Sequence, residues 1–146
     1  MKSLIKFGQE IVNILDSLEI EPILYGSLAY RYYSKDKKTK VNDVDMLVRE
    51  KYFEEIQREL RKRKIKSRYS RKWHVLQIFN GKLLVELDSV DFWQKGRVEV
   101  GKKVNIGGLK VKVISLGGLR KIYRKSVKEC TKNPKDYKKK LEGLEK

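Results

Sequence analysis

The sequence predicts an α/β (α+β) fold, a mixed β-sheet flanked by helices, and three observations carry that expectation. Helical periodicity alternates with short apolar runs through the first half of the chain. Several strands then follow one another, marked by the turn dipeptide Asn80-Gly81. Helical spacing returns towards the end. That order sets helices against a sheet with both parallel and antiparallel neighbours. With 146 residues and 40% hydrophobic content, the chain is large enough for one enclosed core, so a single domain over 1–146 is expected.

Leu4, Ile11, Val12, Leu15 and Leu18 recur at helical spacing and predict an amphipathic helix over 3–18. Glu21-Pro22 ends it. Ile23-Leu24-Tyr25 reads as a short strand stopping at Gly26-Ser27, and Ala29 to Tyr33 begins a second helix. Ser34 to Lys40 reads as a loop. Val41 to Val48 alternates, setting Asp43 and Asp45 on one side of a strand and Val44, Met46 and Val48 on the other. Phe53, Ile56 and Leu60 share one face of a helix from about 51 to 64. Trp73 to Phe79 and Leu83 to Asp88 read as strands joined at Asn80-Gly81, with His74 one residue into the first. Arg97 to Val100 and Val104 to Ile106 read as a hairpin around Gly101, followed by a strand from Leu109 to Ile114. Ser115 fits the N-cap of a helix through Leu119, Ile122 and Tyr123, although Gly117 and Gly118 weaken its first turn. Asn133-Pro134 breaks the chain before a last helix carrying Tyr137, Leu141 and Leu144.

Composition narrows the class. Lys and Arg number 36 against 19 Asp and Glu, a formal charge of +17. A field of that sign attracts phosphate-rich partners, although a Lys- and Glu-rich surface is also what growth at high temperature selects. Basic residues cluster at Arg31 to Lys40, Arg58 to Lys72 and Arg120 to Lys146. Each cluster taken singly reads as a solvated surface, and their sum favours nucleic acid. The lone Cys130 excludes an intrachain disulfide and reads as an inert thiol; with the lone His74 it argues against zinc. No apolar run approaches the ~20 residues that span a bilayer, and Met1 to Lys6 lacks a signal-peptide core. A reducing, cytoplasmic setting with no membrane partner is expected.

The informative residues are the acids. Asp is disfavoured in strands, and two on one face repel, yet Asp43 and Asp45 stand in an otherwise apolar segment. A divalent cation between them would offset that cost, and hard oxygen ligands suit Mg²⁺ or Mn²⁺. Glu86 or Asp88, in Leu83-Leu84-Val85-Glu86-Leu87-Asp88, would complete a three-carboxylate site for phosphoryl or nucleotidyl transfer. Upstream, Gly26-Ser27 ends a strand just before a helix, where backbone amides can meet phosphate.

Together, Leu24-Tyr25-Gly26-Ser27, Asp43-Val44-Asp45 and Val85-Glu86-Leu87 resemble the DNA polymerase beta-like nucleotidyltransferase superfamily. Val113-Ile114-Ser115-Leu116 and Pro134-Lys135-Asp136-Tyr137 extend the resemblance towards small members related to antibiotic nucleotidyltransferases and nucleotidyltransferase toxins. It implies the polymerase beta-like palm fold. It also implies that Gly26 and Ser27 hold the triphosphate of a nucleotide and that Asp43 and Asp45, with Glu86, bind Mg²⁺. Glu86 or Asp88 would orient and deprotonate an acceptor hydroxyl, which could belong to RNA, protein or a small molecule. A non-catalytic half of a toxin–antitoxin or heteromeric pair, with an acidic protein partner, is the alternative within the same fold. A plain nucleic-acid-binding domain is the alternative outside it. Of the remaining candidates, Lys121, Arg124 and Lys125 read as a solvated helix face unless one reaches phosphate, and Asp136 reads as structural. Tyr69, Trp73 and Trp93 read as packing residues that could instead stack on a base.

Overall fold

The computed structural model describes residues 1–129 and 134–145; Cys130 and Asn133, on which two expectations fall, lie outside the described residues. The chain runs α1 (Lys2–Ser17), β1 (Ile23–Tyr25), α2 (Gly26–Ser34), β2 (Val44–Val48), a 3₁₀ turn (Glu50–Tyr52) and α3 (Phe53–Lys62). It continues through β3 (Lys66–Ser70), β4 (Val75–Asn80), β5 (Leu83–Ser89), α4 (Val90–Gln94), β6 (Val100–Ile106), β7 (Leu109–Ile114), α5 (Leu116–Glu129) and α6 (Pro134–Glu145). The seven strands form one sheet in the order β3-β4-β5-β2-β1-β7-β6. β2 runs parallel to β5 and β1 parallel to β7, while β1–β2, β3–β4, β4–β5 and β6–β7 are antiparallel. This is the mixed α/β sheet that the sequence predicts.

Register separates the two faces. Leu24 pairs with Met46 and Val113, Val44 with Val85, and Met46 with Leu87, and all six are fully buried. That face lies under α1, whose apolar stripe includes Phe7, Ile11, Ile14 and Leu15. α1 comes so close at Gly8 that an added Cβ would stand 3.3 Å from Val44 Cγ2. α3 covers the same face further out, where Phe53 meets Tyr69 of β3 edge-to-face at 5.2 Å. Each buried aliphatic side chain contributes about 1.5–3 kcal/mol, so this face anchors the sheet. The opposite face carries the polar row described below.

Several boundaries differ from expectation. β2 begins at Val44, so Asp43 sits in a bend before the strand. The ladder runs out there: the first pairs are Val44 with Val85 and Asp45 with Tyr25, after which β1 turns into α2. Asn80 pairs with Leu83, which moves the hairpin turn to Gly81-Lys82. His74 is in a turn at φ 52°, before β4. The hairpin expected around Gly101 does not form. Val100 to Ile106 is one strand, with an irregularity between Val100 and Lys103, and it pairs with β7. Its reversal uses Gly107 and Gly108, both at positive φ, and Asn105 Oδ1 accepts from Gly108 N–H at 2.9 Å. Two elements carry no sequence expectation, β3 and α4. β3 draws on the basic run after α3, and α4 is capped by Ser89, whose Oγ accepts from Phe92 N–H at 3.1 Å. Ser115 caps α5 as expected, accepting from Gly118 N–H at 3.0 Å.

Candidate active site

Across the face opposite α1, register aligns one residue from each of five neighbouring strands. Tyr25 pairs with Asp45, Asp45 with Glu86, Glu86 with Gln77, and Gln77 with Arg68. Directly paired residues point to the same face, so this is a lateral polar row. Asp43 joins it from the bend before β2. Carboxylate oxygens of Asp43, Asp45 and Glu86 all lie within 4.8 Å of one another. Glu86, and not Asp88, is the third member of this cluster. Asp88, two residues along the same face, accepts a hydrogen bond from the Tyr25 hydroxyl.

Burial and like charge set the electrostatics of this group. Asp45 is held well above the usual carboxylate range by burial first, then by the charges of Asp43, Asp88 and Glu86. Burial, with Asp88 and Asp43 beside it, pushes Glu86 up to about 7. Asp88 is raised to about 6 by burial, with the Tyr25 hydroxyl acting in the opposite direction. Tyr25 itself is raised, by burial and by the surrounding carboxylates. Acids gathered in this way resist ionisation together unless a cation joins them. Three hard oxygen donors at this spacing fit Mg²⁺ or Mn²⁺.

Asp45, Glu86 and Asp88 form one wall of a cleft of about 740 Å³ that reaches Gly26 and Ser27. Gly26 turns the chain from β1 into α2 at φ 73°, and an added Cβ would lie 2.9 Å from Asp45 Cβ. Both conformation and space therefore require glycine beside the acids. α5 and α6 supply the facing wall. The Tyr123 hydroxyl donates to Gly26 O at 3.4 Å, and Lys140 Nζ donates to Ser27 Oγ at 3.3 Å. Lys140 stands 5.8 Å from the Tyr30 ring centre and 5.9 Å from that of Tyr123. These rings hold the ammonium at the Gly-Ser turn.

A second network fixes the outer rim. The Glu50 carboxylate accepts from the Tyr69 hydroxyl at 2.5 Å and from His74 Nδ1 at 2.9 Å. Burial would raise Glu50, but hydrogen bonds from Tyr69, Ser89 and His74 outweigh it and leave its carboxyl below the ordinary value. His74 stacks on Phe92 with ring centres 3.8 Å apart, and Trp93 Nε1 donates to Trp73 O at 3.0 Å. These contacts hold Trp73 and Trp93 at the edge of the cleft. His74 is thus tied to Glu50 and Phe92, and Tyr69 packs against Phe53.

Comparison with solved structures places the fold. The chain is similar to an antigenic nucleotidyltransferase-like protein from Paracoccidioides brasiliensis, at 18% identity and TM-score 0.65, covering 97% of this chain and 74% of that one. It is similar to ANT(2″)-Ia in complex with adenylyl-2″-tobramycin, at 11% identity and TM-score 0.68, covering 97% and 87%. Megavirus polyadenylate synthase matches at 13% identity and TM-score 0.63, covering 99% of this chain and 31% of that one. The fold is that of the nucleotidyltransferases. No family model matches the chain, and no curated protein matches it by sequence.

On this nucleotidyltransferase fold the three signature segments fall at the β1–α2 turn, the start of β2 and the middle of β5. The structure brings Gly26, Ser27, Asp45, Glu86 and Asp88 to one cleft. Of the helix cations singled out in the sequence, all three are exposed, and Lys125 alone among them lines the cleft, where its Nζ donates to Trp93 O at 3.3 Å. Asp136 takes a place in the first turn of α6, where a negative charge favours the helix dipole. Tyr25, Tyr123 and Lys140 line the cleft, and Gln77 extends the polar row beside it, although no role is expected of them from the sequence. Lys140 did carry a signal, since Tyr137, Lys140, Leu141 and Leu144 share one helical stripe that otherwise faces the core.

Proposed function

We propose that the protein is a metal-dependent nucleotidyltransferase. It transfers a nucleoside monophosphate from a nucleoside triphosphate to an acceptor hydroxyl and releases pyrophosphate. The observation that carries this reading is the meeting of Asp43, Asp45 and Glu86 oxygens within 4.8 Å of one another, with Asp45 and Glu86 lining a cleft that reaches Gly26-Ser27. Asp43, Asp45 and Glu86 would hold Mg²⁺ or Mn²⁺. When bound, the cation offsets charge on the attacking and leaving oxygens.

The chain's own groups do the positioning. Ser27 Oγ and the first amides of α2 donate to the triphosphate, at the helix end where an anion is favoured. Lys140, next to Ser27, offsets phosphate charge. Glu86 or Asp88, on the same strand face, would orient the acceptor hydroxyl and take its proton. Asp88, bonded by Tyr25, supports that wall and keeps it in register. Held in line, the reactants need little covalent help from the protein.

Incubation with labelled ATP, CTP, GTP or UTP plus Mg²⁺, with total RNA, protein and small-hydroxyl acceptors offered separately, tests the reading. Label transfer by the wild type and its loss in Asp45→Asn, with the circular dichroism spectrum unchanged, is the expected result. Full transfer by purified Asp45→Asn would exclude this site as the reaction centre.

A further inference from the structure

The polar row does not stop at the acids. Beyond Glu86 it continues through Gln77 of β4 to Arg68 of β3, away from the Gly26-Ser27 turn. These residues line a second hollow of about 290 Å³ that shares Trp73, Trp93, Glu86 and Asp88 with the main cleft. If phosphates occupy the Gly26-Ser27 side, in-line geometry puts the attacking hydroxyl on this side.

The chemistry of the hollow is selective. Its acids are Glu86, part of the metal cluster, and Asp88, already bonded by Tyr25. No further carboxylate among the described lining residues meets a cationic acceptor. It instead offers a guanidinium, an amide and two indoles. Trp73 is 57% exposed, a high value for so large an apolar side chain. Its backbone carbonyl is bonded by Trp93, and Lys72 Nζ lies 5.3 Å from its ring centre. An indole face stacks on any base, and Arg68 and Lys72 suit backbone phosphate. The hollow is also open outwards. β3 is the last strand of the sheet, and Lys66 and Arg68 on it are exposed. A polymer can therefore leave the site across this edge.

We infer that the β3–β4 extension of the sheet face is an acceptor subsite for the end of a single-stranded polynucleotide, with Trp73 stacking on a base and Arg68 holding phosphate. This rests on the nucleotidyltransferase reading of the same cleft. In the reaction the terminal hydroxyl oxygen bonds to the α-phosphorus of a nucleoside triphosphate. The bond from that phosphorus to its bridging oxygen breaks, pyrophosphate leaves with the electron pair, and the hydroxyl proton passes to a carboxylate and on to water. RNA and DNA share the recognised chemistry.

The test measures binding apart from catalysis. Fluorescence anisotropy with 5′-labelled RNA and DNA oligonucleotides, without nucleotide or Mg²⁺, compares wild type with Trp73→Ala, Arg68→Ala and Lys6→Ala. The last removes one exposed charge from α1, on the far side of the sheet. Trp73→Ala is expected to weaken binding roughly 5- to 150-fold. Arg68→Ala should weaken it more than Lys6→Ala does, and Asp45→Asn should still bind. The tighter of the two oligonucleotides identifies the source. Equal losses in Arg68→Ala and Lys6→Ala, or undiminished affinity in Trp73→Ala, would overturn the subsite. So would transfer to protein or a small molecule that Trp73→Ala and Arg68→Ala leave unchanged, and in that case nucleotidyl transfer itself still stands. Retained oligonucleotide binding with no transfer of any nucleotide would sink the transferase reading.

Discussion

Asp45 is costly where it stands. Glu86 near 7 and Asp88 near 6 hold protons in the folded chain that carboxylates of an unfolded chain release near 4. The folded state therefore binds more protons between those values, and the stability of the metal-free protein falls as pH rises from about 4 through 7. Removing one charge should relieve this. Without metal at pH 8, Asp45→Asn is expected to melt above the wild type by about 1–2 kcal/mol, roughly 2–8 °C. Mg²⁺ should narrow the gap by stabilising the wild type, and scanning calorimetry at pH 5 and pH 8 reads both effects. Identical melting at pH 8 would show that the carboxylates do not repel. Asp43 and Asp45 were legible in the sequence because acids stand out in an apolar run. Tyr25 was not, since its partner Asp88 lies 63 residues away and nothing local records the pairing.

At the scale of elements, local pattern found the helices and most of the apolar strands, and missed those whose identity comes from neighbours. β3 has the sequence Lys-Ser-Arg-Tyr-Ser, with little apolar content, and is a strand because β4 offers it a ladder. Its charges also suit an edge strand, where lysine and arginine discourage pairing with another chain. The turn before β4 is held from outside as well, through the 3₁₀ segment that carries Glu50. Glu50 is depressed below its ordinary value of 4.5, so its contribution to stability is complete above that pH and is lost as pH falls through the folded value. Glu50→Gln should accordingly lower stability at pH 7 by about 1 kcal/mol. The difference from the wild type should shrink between pH 7 and pH 3. Thermal melts at the two pH values check this, and a constant difference would assign the loss to packing.

For the whole molecule, the order of helices and strands foretold a mixed sheet but could not foretell its strand order. β1 lies between β2 and β7, and its parallel pairing with β7 joins residues 23–24 to 112–113. Such pairings depend on tertiary packing and leave no periodic trace. The surplus of +17 was legible from the start, and the fold sets the acid cluster as a small negative centre within it. A field of this kind draws phosphate towards the cleft, and dissolved salt screens it over about 10 Å at 0.1 M. The KM for nucleoside triphosphate should therefore rise several-fold between about 50 mM and about 500 mM salt. Steady-state kinetics at constant Mg²⁺ measures it, and a flat KM would show that local contacts alone hold the nucleotide.

The lateral row from Tyr25 to Arg68 also bears on how the chain reaches its native state. Its members come from strands that meet only when several separate ladders close in the correct register. A slip of one residue in β5 would turn Glu86 and Asp88 under α1 and bring Val85 and Leu87 into the open cleft. The cation that the acids fit would then find no cluster to join. Affinity for such an ion would thus be a sensor of correct strand alignment, rewarding only chains whose central strands have all come together properly.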